Sequence, residues 1–495
     1  MNKSLILAID QGTSSTKTII FNAKGDVLAK ATELLKTSYF EGGFVEQNPD
    51  EIYENVIKSV KACLTVFTSA GGNIADIKSC GISNQRETFV VWDKLGAPIC
   101  PAVVWQCKRS ITICEELQSK NGIAEKVKIK TGLIIDPYFS GTKLMWLCQN
   151  NETVKTKVEA GDAYFGTVDT WLLYKLTGGS QYLTDYTNAS RTMMFNLENL
   201  QWDKELLRIF GLSGIKLPVP KPSASHFGTS YFEGLFENPL PITAMIGDSH
   251  AAAFGEGCLS PGTAKATLGT GCSVLMNIGD QPKASASGMI TTICWSTEER
   301  IDYALEGVIV SCGATLEWLK NELGLFADSR DTEAMAIAVI DNNGVAIIPA
   351  FSGLGAPYWD MSRKASIEGL TFDCTKNHIV RAALESIPFQ IRDVIDAMEN
   401  DSGLAINELM VNGGITANNF VMEFLSDLLN SKVIKSNMPD VSALGAAYLS
   451  GLGAGIFKNL EEIQELFGNR PTLVSEKYLD TDKYYQSWKN IIDKN

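Results

Sequence analysis

The sequence predicts an α/β protein made of two large domains, each built on a mixed sheet. The chain has 495 residues, more than one hydrophobic core organises. Strand-like runs give way to helix-like runs twice along its length, the order expected of an α/β protein. A glycine–hydroxyl loop between two apolar runs also occurs early in each half. The first is Asp10-Gln11-Gly12-Thr13-Ser14-Ser15 and the second Gly269-Thr270-Gly271-Cys272-Ser273. Glycine lets such a turn bend tightly, and its amides and hydroxyls can hold anionic oxygens. The repetition points to two related domains facing each other across a nucleotide.

The first half opens with three antiparallel strands over residues 5–9, 18–21 and 27–32, with a Gly25-Asp26 hairpin turn. Asn48-Pro49-Asp50-Glu51 supplies the cap and first turn of a helix, in which Ile52, Val56, Val60, Cys63, Leu64 and Phe67 recur at helical spacing. Strands around 80–83 and 88–92 follow, leaving Gln85-Arg86-Glu87 at their junction. Prolines in 217–222, with Pro239 and Pro241, bracket the end of this half. A boundary near 255–262 gives domains of residues 1–255 and 256–495. The second half repeats the plan: a hairpin of residues 264–268 and 274–276, strands near 291–293 and 301–305, and helices over 379–398 and 417–429. Residues 443–457 are rich in Ala and Gly and read as a tightly packed helix.

Lys and Arg number 43 against 57 Asp and Glu, a net charge of −14. That balance argues against a nucleic-acid or anionic-membrane partner, which needs a basic face, but leaves room for a nucleotide held by local donors. Eleven scattered cysteines form no CxxC pair, which suggests a reducing, cytoplasmic setting and no zinc site. The three histidines, His226, His250 and His378, are too dispersed for a metal cluster. The first ten residues are too short an apolar run for a signal peptide, and no run long enough to span a membrane follows.

Four constellations can carry chemistry. Asp10 ends an apolar strand beside a phosphate-sized turn; it can hold Mg²⁺ through water while hydroxyls and Lys17 meet phosphates, or it can simply cap local amides. Asp248 follows the apolar strand 244–247 and begins a helix, where a cap is the commonest job and a base toward a substrate hydroxyl the alternative. Asp248-Ser249-His250 is not a hydrolytic triad, since adjacent side chains cannot form one relay. Arg86-Glu87, with Trp105-Gln106 and Asp136-Pro137-Tyr138, reads either as a surface ion pair with core aromatics or as a grip on a polyhydroxylated ligand. Asn412-Gly413-Gly414-Ile415, followed by Asn418-Asn419, is a strand-to-helix turn against which an adenosine could lie. P-loop and GxGxxG patterns are absent.

Taken in order, these segments resemble the sugar and polyol kinases of the FGGY family, most of all its glycerol-phosphorylating members. The likeness includes ISNQRET at 82–88, VWQC at 104–107, TGLIIDPYFSGTKLMWL at 131–147, FGTVDTWLLYKLTGG at 165–179, TDYTNASRTMMFN at 184–196 and PAFSGLGAPYWD at 349–360. ASIEGLTFDCTKNHIVRAALE at 365–385 matches the family's C-terminal signature, and residues 138–150 its N-terminal one. The resemblance implies two actin/hexokinase-like, RNase H-type domains flanking a catalytic cleft. It also implies ATP and Mg²⁺, a polyol substrate and a homo-oligomer, dimer or tetramer. By the same resemblance Asp248 is the general base, and Arg86, Glu87, Trp105, Tyr138 and Asp248 bind the polyol. Thr13, Ser14 and Lys17 meet phosphates, Thr270, Gly313, Glu317, Gly414 and Asn418 line the rest of the nucleotide site, and Asp10 with Asp248 holds Mg²⁺ through water.

The chain departs from that pattern in places. Ser249 stands where a substrate-contacting glutamine is usual and Ser273 where an aromatic residue packs on the glycerol carbons. Both are expected to line the polyol pocket as small hydroxyls. Their size leaves a larger polyol or ketose (a tetritol, a pentitol, xylulose) open as substrate. Glu317 replaces a usual glutamine, and Lys17 a frequent arginine. No glycine-rich loop of the kind associated with fructose-1,6-bisphosphate inhibition is recognisable in 227–242. A nucleotide- and sugar-sensing actin-like module is the alternative outside enzymes.

Overall fold

The computed structural model describes residues 4–436, 440–468, 472–473 and 481–493. Residues 1–3, where the reading of the N-terminus begins, lie outside the described residues. The first half is organised by β1 (Leu5–Gln11), β2 (Ser15–Asn22), β3 (Val27–Leu34), β4 (Ile77–Asn84) and β5 (Leu240–Gly247). β1 pairs antiparallel with β2, and β2 with β3, while β1, β4 and β5 run parallel. Leu5, Ile6, Leu7, Ala8 and Ile9 are all buried, so β1 reads as a continuous apolar run, as a strand covered on both faces must. α1 (Pro49–Ser69) is capped by the Asn48 side chain and buries Ile52, Val56, Val60, Cys63, Leu64 and Phe67. The strands outrun their apolar residues: Asp10 and Gln11 lie within β1 and Ser15 within β2, because the ladder continues to the Gln11–Thr16 pair. Only Gly12-Thr13-Ser14 remains as loop, closed by the Gly12 amide donating to the Ser15 carbonyl (2.9 Å).

After α2 (Asp248–Gly255) the second half repeats this plan with β6 (Thr263–Leu268), β7 (Cys272–Gly279), β8 (Ile301–Ile309), β9 (Glu408–Asn412) and β10 (Lys432–Lys435). β6–β7 and β7–β8 are antiparallel, and β6, β9 and β10 are parallel. The pairing is that of β1 to β5, strand for strand. α3 (Gly313–Asn321) follows β8, α4 (Asn419–Leu429) follows β9, and α5 (Val441–Gly453) follows β10. A long helix, Lys376–Ser402, crosses the outer side of the second half with Pro388 inside it.

α2 and α5 lie between the two sheets. One core unites Ala8, Ala244 and Ile246 of the first sheet with Leu275, Ala304 and Met410 of the second, through Ala251, Phe254, Leu444 and Ala447 of the helices. The helices meet backbone to backbone. A Cβ on Gly445 would sit 1.8 Å from the Ala251 carbonyl oxygen, and one on Gly255 2.4 Å from that of Val441. The Ala/Gly composition of α5 follows from this approach. Among the described residues no helix is long and apolar enough to cross a membrane.

Candidate active site

Three parallel strands of the first sheet end side by side. Gln11, Asn84 and Gly247 are register partners at the C-terminal ends of β1, β4 and β5. The residues that follow are the Gly12–Ser14 loop, Gln85-Arg86-Glu87 and Asp248. Such strand ends are where open α/β sheets present ligands.

Arg86 and Glu87 are not a surface pair: they are 6% and 1% exposed. Their charges are balanced by residues from distant segments. Arg86 donates through Nη1 and Nη2 to the two oxygens of Glu306 (3.1 and 2.9 Å). Arg191 donates through Nε to Glu87 Oε1 (2.6 Å), and its Nη1 lies 2.7 Å from Glu306 Oε2. Burial disfavours the Glu306 carboxylate, but Arg191 and Arg86 outweigh it and hold Glu306 well below the usual range. For Glu87 burial prevails over Arg191 and Arg86, and its carboxyl is raised.

Asp248 is the first residue of α2, with Gly247 in the cap position and no side-chain cap bond. The cap favoured by local sequence is therefore not its job. Its Oδ1 accepts from the Ser249 amide (2.6 Å) and lies 3.5 Å from Arg86 Nε. The side chain keeps 38% of its surface exposed. Burial raises its carboxyl, and Arg86 is the largest opposing influence. Beside it the Ser249 and Ser273 hydroxyls approach to 3.5 Å. The buried Lys265 ammonium donates to Ser249 Oγ (2.8 Å) and Thr267 Oγ1 (3.0 Å), and Ser273 donates to Glu306 Oε1 (3.2 Å).

An aromatic pair borders the Thr13 loop and the Arg191 guanidinium. The Trp105 and Tyr138 rings meet edge to face at 5.5 Å, and the Arg191 guanidinium lies 5.8 Å from the Tyr138 ring centre. The buried Lys143 donates to the Trp105 and Tyr138 carbonyls (3.1 and 2.8 Å), and burial lowers its ammonium to about 8. Trp105 Nε1 donates to Thr13 Oγ1 (3.0 Å), so the Thr13 hydroxyl ties the first loop to this pair.

Behind the loop, Asp10 and Lys17 are register partners on β1 and β2. Asp10 accepts from Ser83 Oγ (3.0 Å). Burial and the charge of Asp248 raise its carboxyl to about 6, against Lys17. Lys17 reaches Asp440 (2.9 Å), which also holds Lys30. The Ser14 side chain is exposed beside this array.

In the second half the Thr267–Asn412 register sets the Gly269 loop beside the Gly413-Gly414 turn. The Cys312 and Ala314 amides donate to the Thr270 carbonyl (2.9 and 3.1 Å), and the Gly313 amide to that of Gly269 (2.9 Å). Gly413 has φ of 102° and passes so near β6 that a Cβ would lie 2.3 Å from the Leu268 carbonyl oxygen. Thr270, Gly313 and Gly414 thus lie on three converging turns. Glu317 stands exposed a turn along α3. The Asn418 side chain caps α4 at the Val421 amide (3.1 Å) and reaches Thr332 Oγ1 (3.1 Å).

The sequence reading did not single out Arg191, Glu306, Lys265, Lys143 or Asp440. Two of them carried a usable signal. Lys265 is the single charge inside the buried strand β6, and Glu306 one of two in β8, where an ion without a partner is too costly to keep.

Two family models describe these halves. The N-terminal domain of the FGGY family of carbohydrate kinases matches residues 5–255, and its C-terminal domain matches residues 264–454. The chain belongs to the FGGY family of carbohydrate kinases. Over 494 residues it is 44% identical to a glycerol kinase of Thermoanaerobacter pseudethanolicus, covering 99% of this chain and 98% of that one. A glycerol kinase of Brevibacillus brevis is 46% identical over 464 residues, 94% of this chain and 92% of the relative. Among solved structures, a Plasmodium falciparum glycerol kinase with ADP superposes with a TM-score of 0.93 at 34% identity, covering 99% of this chain and 98% of that one. The two-domain actin/hexokinase-like fold extends to a gluconate kinase of Lactobacillus acidophilus, with a TM-score of 0.88 at 22% identity, covering 99% of this chain and 98% of that one.

Proposed function

We propose that this chain is an ATP-dependent kinase that phosphorylates a primary hydroxyl of glycerol, giving glycerol 3-phosphate and ADP. The observation that carries the reading is Asp248: a partly exposed carboxylate, at the end of β5, beside the guanidinium of Arg86. The likeness to glycerol kinases over nearly the whole chain supports it. In this reading Asp248 accepts the proton of the hydroxyl, whose oxygen attacks the γ-phosphorus in line as the bond to ADP breaks. Arg86 and Glu87 hold the other hydroxyls, Trp105 and Tyr138 cover the C–H face, and Ser249 and Ser273 complete the pocket. Amides of the Gly12 and Gly269 loops, with Ser14, Lys17 and Thr270, meet phosphates, while Gly313, Glu317, Gly414 and Asn418 line the adenosine side.

Asp10 and Asp248 suit a hydrated Mg²⁺ ion. Both carboxyls are raised by burial, and the charge of Asp248 raises Asp10 further, so a divalent cation would relieve both; oxygen is its preferred donor. When bound, the ion neutralises phosphate charge. The free thiols support a cytoplasmic setting. A homo-oligomer belongs to the same reading.

The test is ADP release with glycerol, erythritol, threitol, pentitols and xylulose, for wild type and Asp248→Asn. Glycerol is expected to give the highest kcat/KM, and Asp248→Asn to lose about 10²- to 10⁴-fold in turnover while still binding nucleotide. Higher kcat/KM for a longer polyol reassigns the substrate. An Asn variant with undiminished turnover removes Asp248 from the chemistry.

A further inference from the structure

We propose that Glu306 and Arg191 are positioning residues of the polyol pocket, one supplied by each half of the molecule, acting through Arg86 and Glu87. The assignment rests on the kinase reading above and goes beyond its substrate-touching residues.

Arg86 has both terminal nitrogens committed to Glu306, one to each oxygen. That bidentate fork fixes the plane of the guanidinium. The nitrogen left over is Nε, 3.5 Å from Asp248 Oδ1 and 4.0 Å from Glu87 Oε1. Glu87 is held at Oε1 by Arg191 Nε; among the described residues its Oε2 has no such tie and is the oxygen available to a substrate hydroxyl. Each member of the expected substrate-binding pair is therefore pinned by a second ion that leaves one polar edge for a ligand. Glu306 and Arg191 are themselves 0% exposed and 2.7 Å apart, which closes the ring of two guanidiniums and two carboxylates.

Such a ring adds little stability, because well-packed apolar groups of similar volume do as well or better. What it supplies is orientation. The two anchors also come from different places. Arg191 follows the short helix Tyr186–Ala189 in the first half, and Glu306 projects from β8 in the second. Glu306 additionally accepts from Ser273 on β7. The grip on the polyol is thus set only when β8 is docked against the ends of β4 and β5.

The experiment is a steady-state comparison of Glu306→Gln with wild type, reading KM for glycerol, KM for ATP and kcat separately. Glutamine keeps the volume and loses the charge. The expected result is a rise of about tenfold in KM for glycerol, the loss of one charge-assisted hydrogen bond, with KM for ATP within about twofold; Glu306→Asp recovers part of the loss. In an Arg86→Lys background the same change is expected to add less than about twofold, because Glu306 acts through Arg86. An unmoved KM for glycerol, a parallel rise in KM for ATP, or full multiplication of the two effects overturns the assignment. Should Glu306→Gln not fold, Arg191→Lys with Glu87→Gln gives an equivalent cycle, and the same three results overturn the assignment there. Wild-type turnover of glycerol is the control. Its absence sinks the kinase reading, whereas turnover with an unmoved variant sinks only the positioning role.

Discussion

Replacing Asp10 with asparagine is expected to stabilise the metal-free protein while disabling it. Burial and then the charge of Asp248 raise this carboxyl from 3.8 to about 6, although Lys17 and the Ser83 hydroxyl work against them. A shift of about two pH units places about 3 kcal/mol on the ionised form. Because the folded value is raised, the folded protein binds the proton more tightly than the unfolded chain. Stability from this group is full below the unfolded value, falls as pH rises to about 6, and is level above that. Asparagine carries no charge at any of these pH values and nearly the same shape. Asp10→Asn should therefore gain up to about 3 kcal/mol near pH 7.5 and roughly half of that near pH 5. In thermal melts with EDTA the gain near pH 7.5 corresponds to a Tm higher by on the order of 5 °C. Adding Mg²⁺ with nucleotide should reverse the order, since only the wild type offers the ion a second carboxylate beside Asp248. A variant that melts lower near pH 7.5, or that gains the same amount at both pH values, would refute the reasoning.

Gly445→Ala sets a methyl 1.8 Å from the Ala251 carbonyl oxygen, which forces α2 and α5 apart; a loss of about 3 kcal/mol is expected in urea unfolding. Lys143→Met removes the donor to the Trp105 and Tyr138 carbonyls. Two buried acceptors left unpaired cost about 1–3 kcal/mol each. KM for the polyol should rise while KM for ATP does not, and equal rises in both would show that Lys143 supports the fold alone.

The strands and helices were legible because their signals are local. The apolar run of β1, the cap and first turn of α1 and the Ala/Gly face of α5 each announce an element without reference to the rest of the chain. The site was legible only where a motif carries its own chemistry. Local sequence favoured a cap at Asp248 because the rule looks at one helix. In the structure Gly247 occupies that position, and what sets the carboxylate is Arg86, from another strand. Arg86-Glu87 read as a surface pair for a similar reason. Their partners Arg191 and Glu306 lie more than a hundred residues away, and no spacing rule connects them.

The helix pair between the sheets ties these observations together. α2 begins with Asp248, and α5 begins immediately after Asp440, the partner of Lys17. The Ser442 hydroxyl at the start of α5 donates to the Asp248 carbonyl (3.1 Å). Gly255 and Gly445 bring the two axes too close for either helix to slide without a clash. The expected base and Lys17 of β2 are therefore tied to one helix pair that belongs to neither sheet alone. A movement of one half relative to the other must turn about that pair, because a packed backbone contact is less yielding than a side-chain interface. The proposed polyol grip, which would depend on β8 through Glu306, would then respond to such a turn while Asp248 and Lys17 keep their spacing.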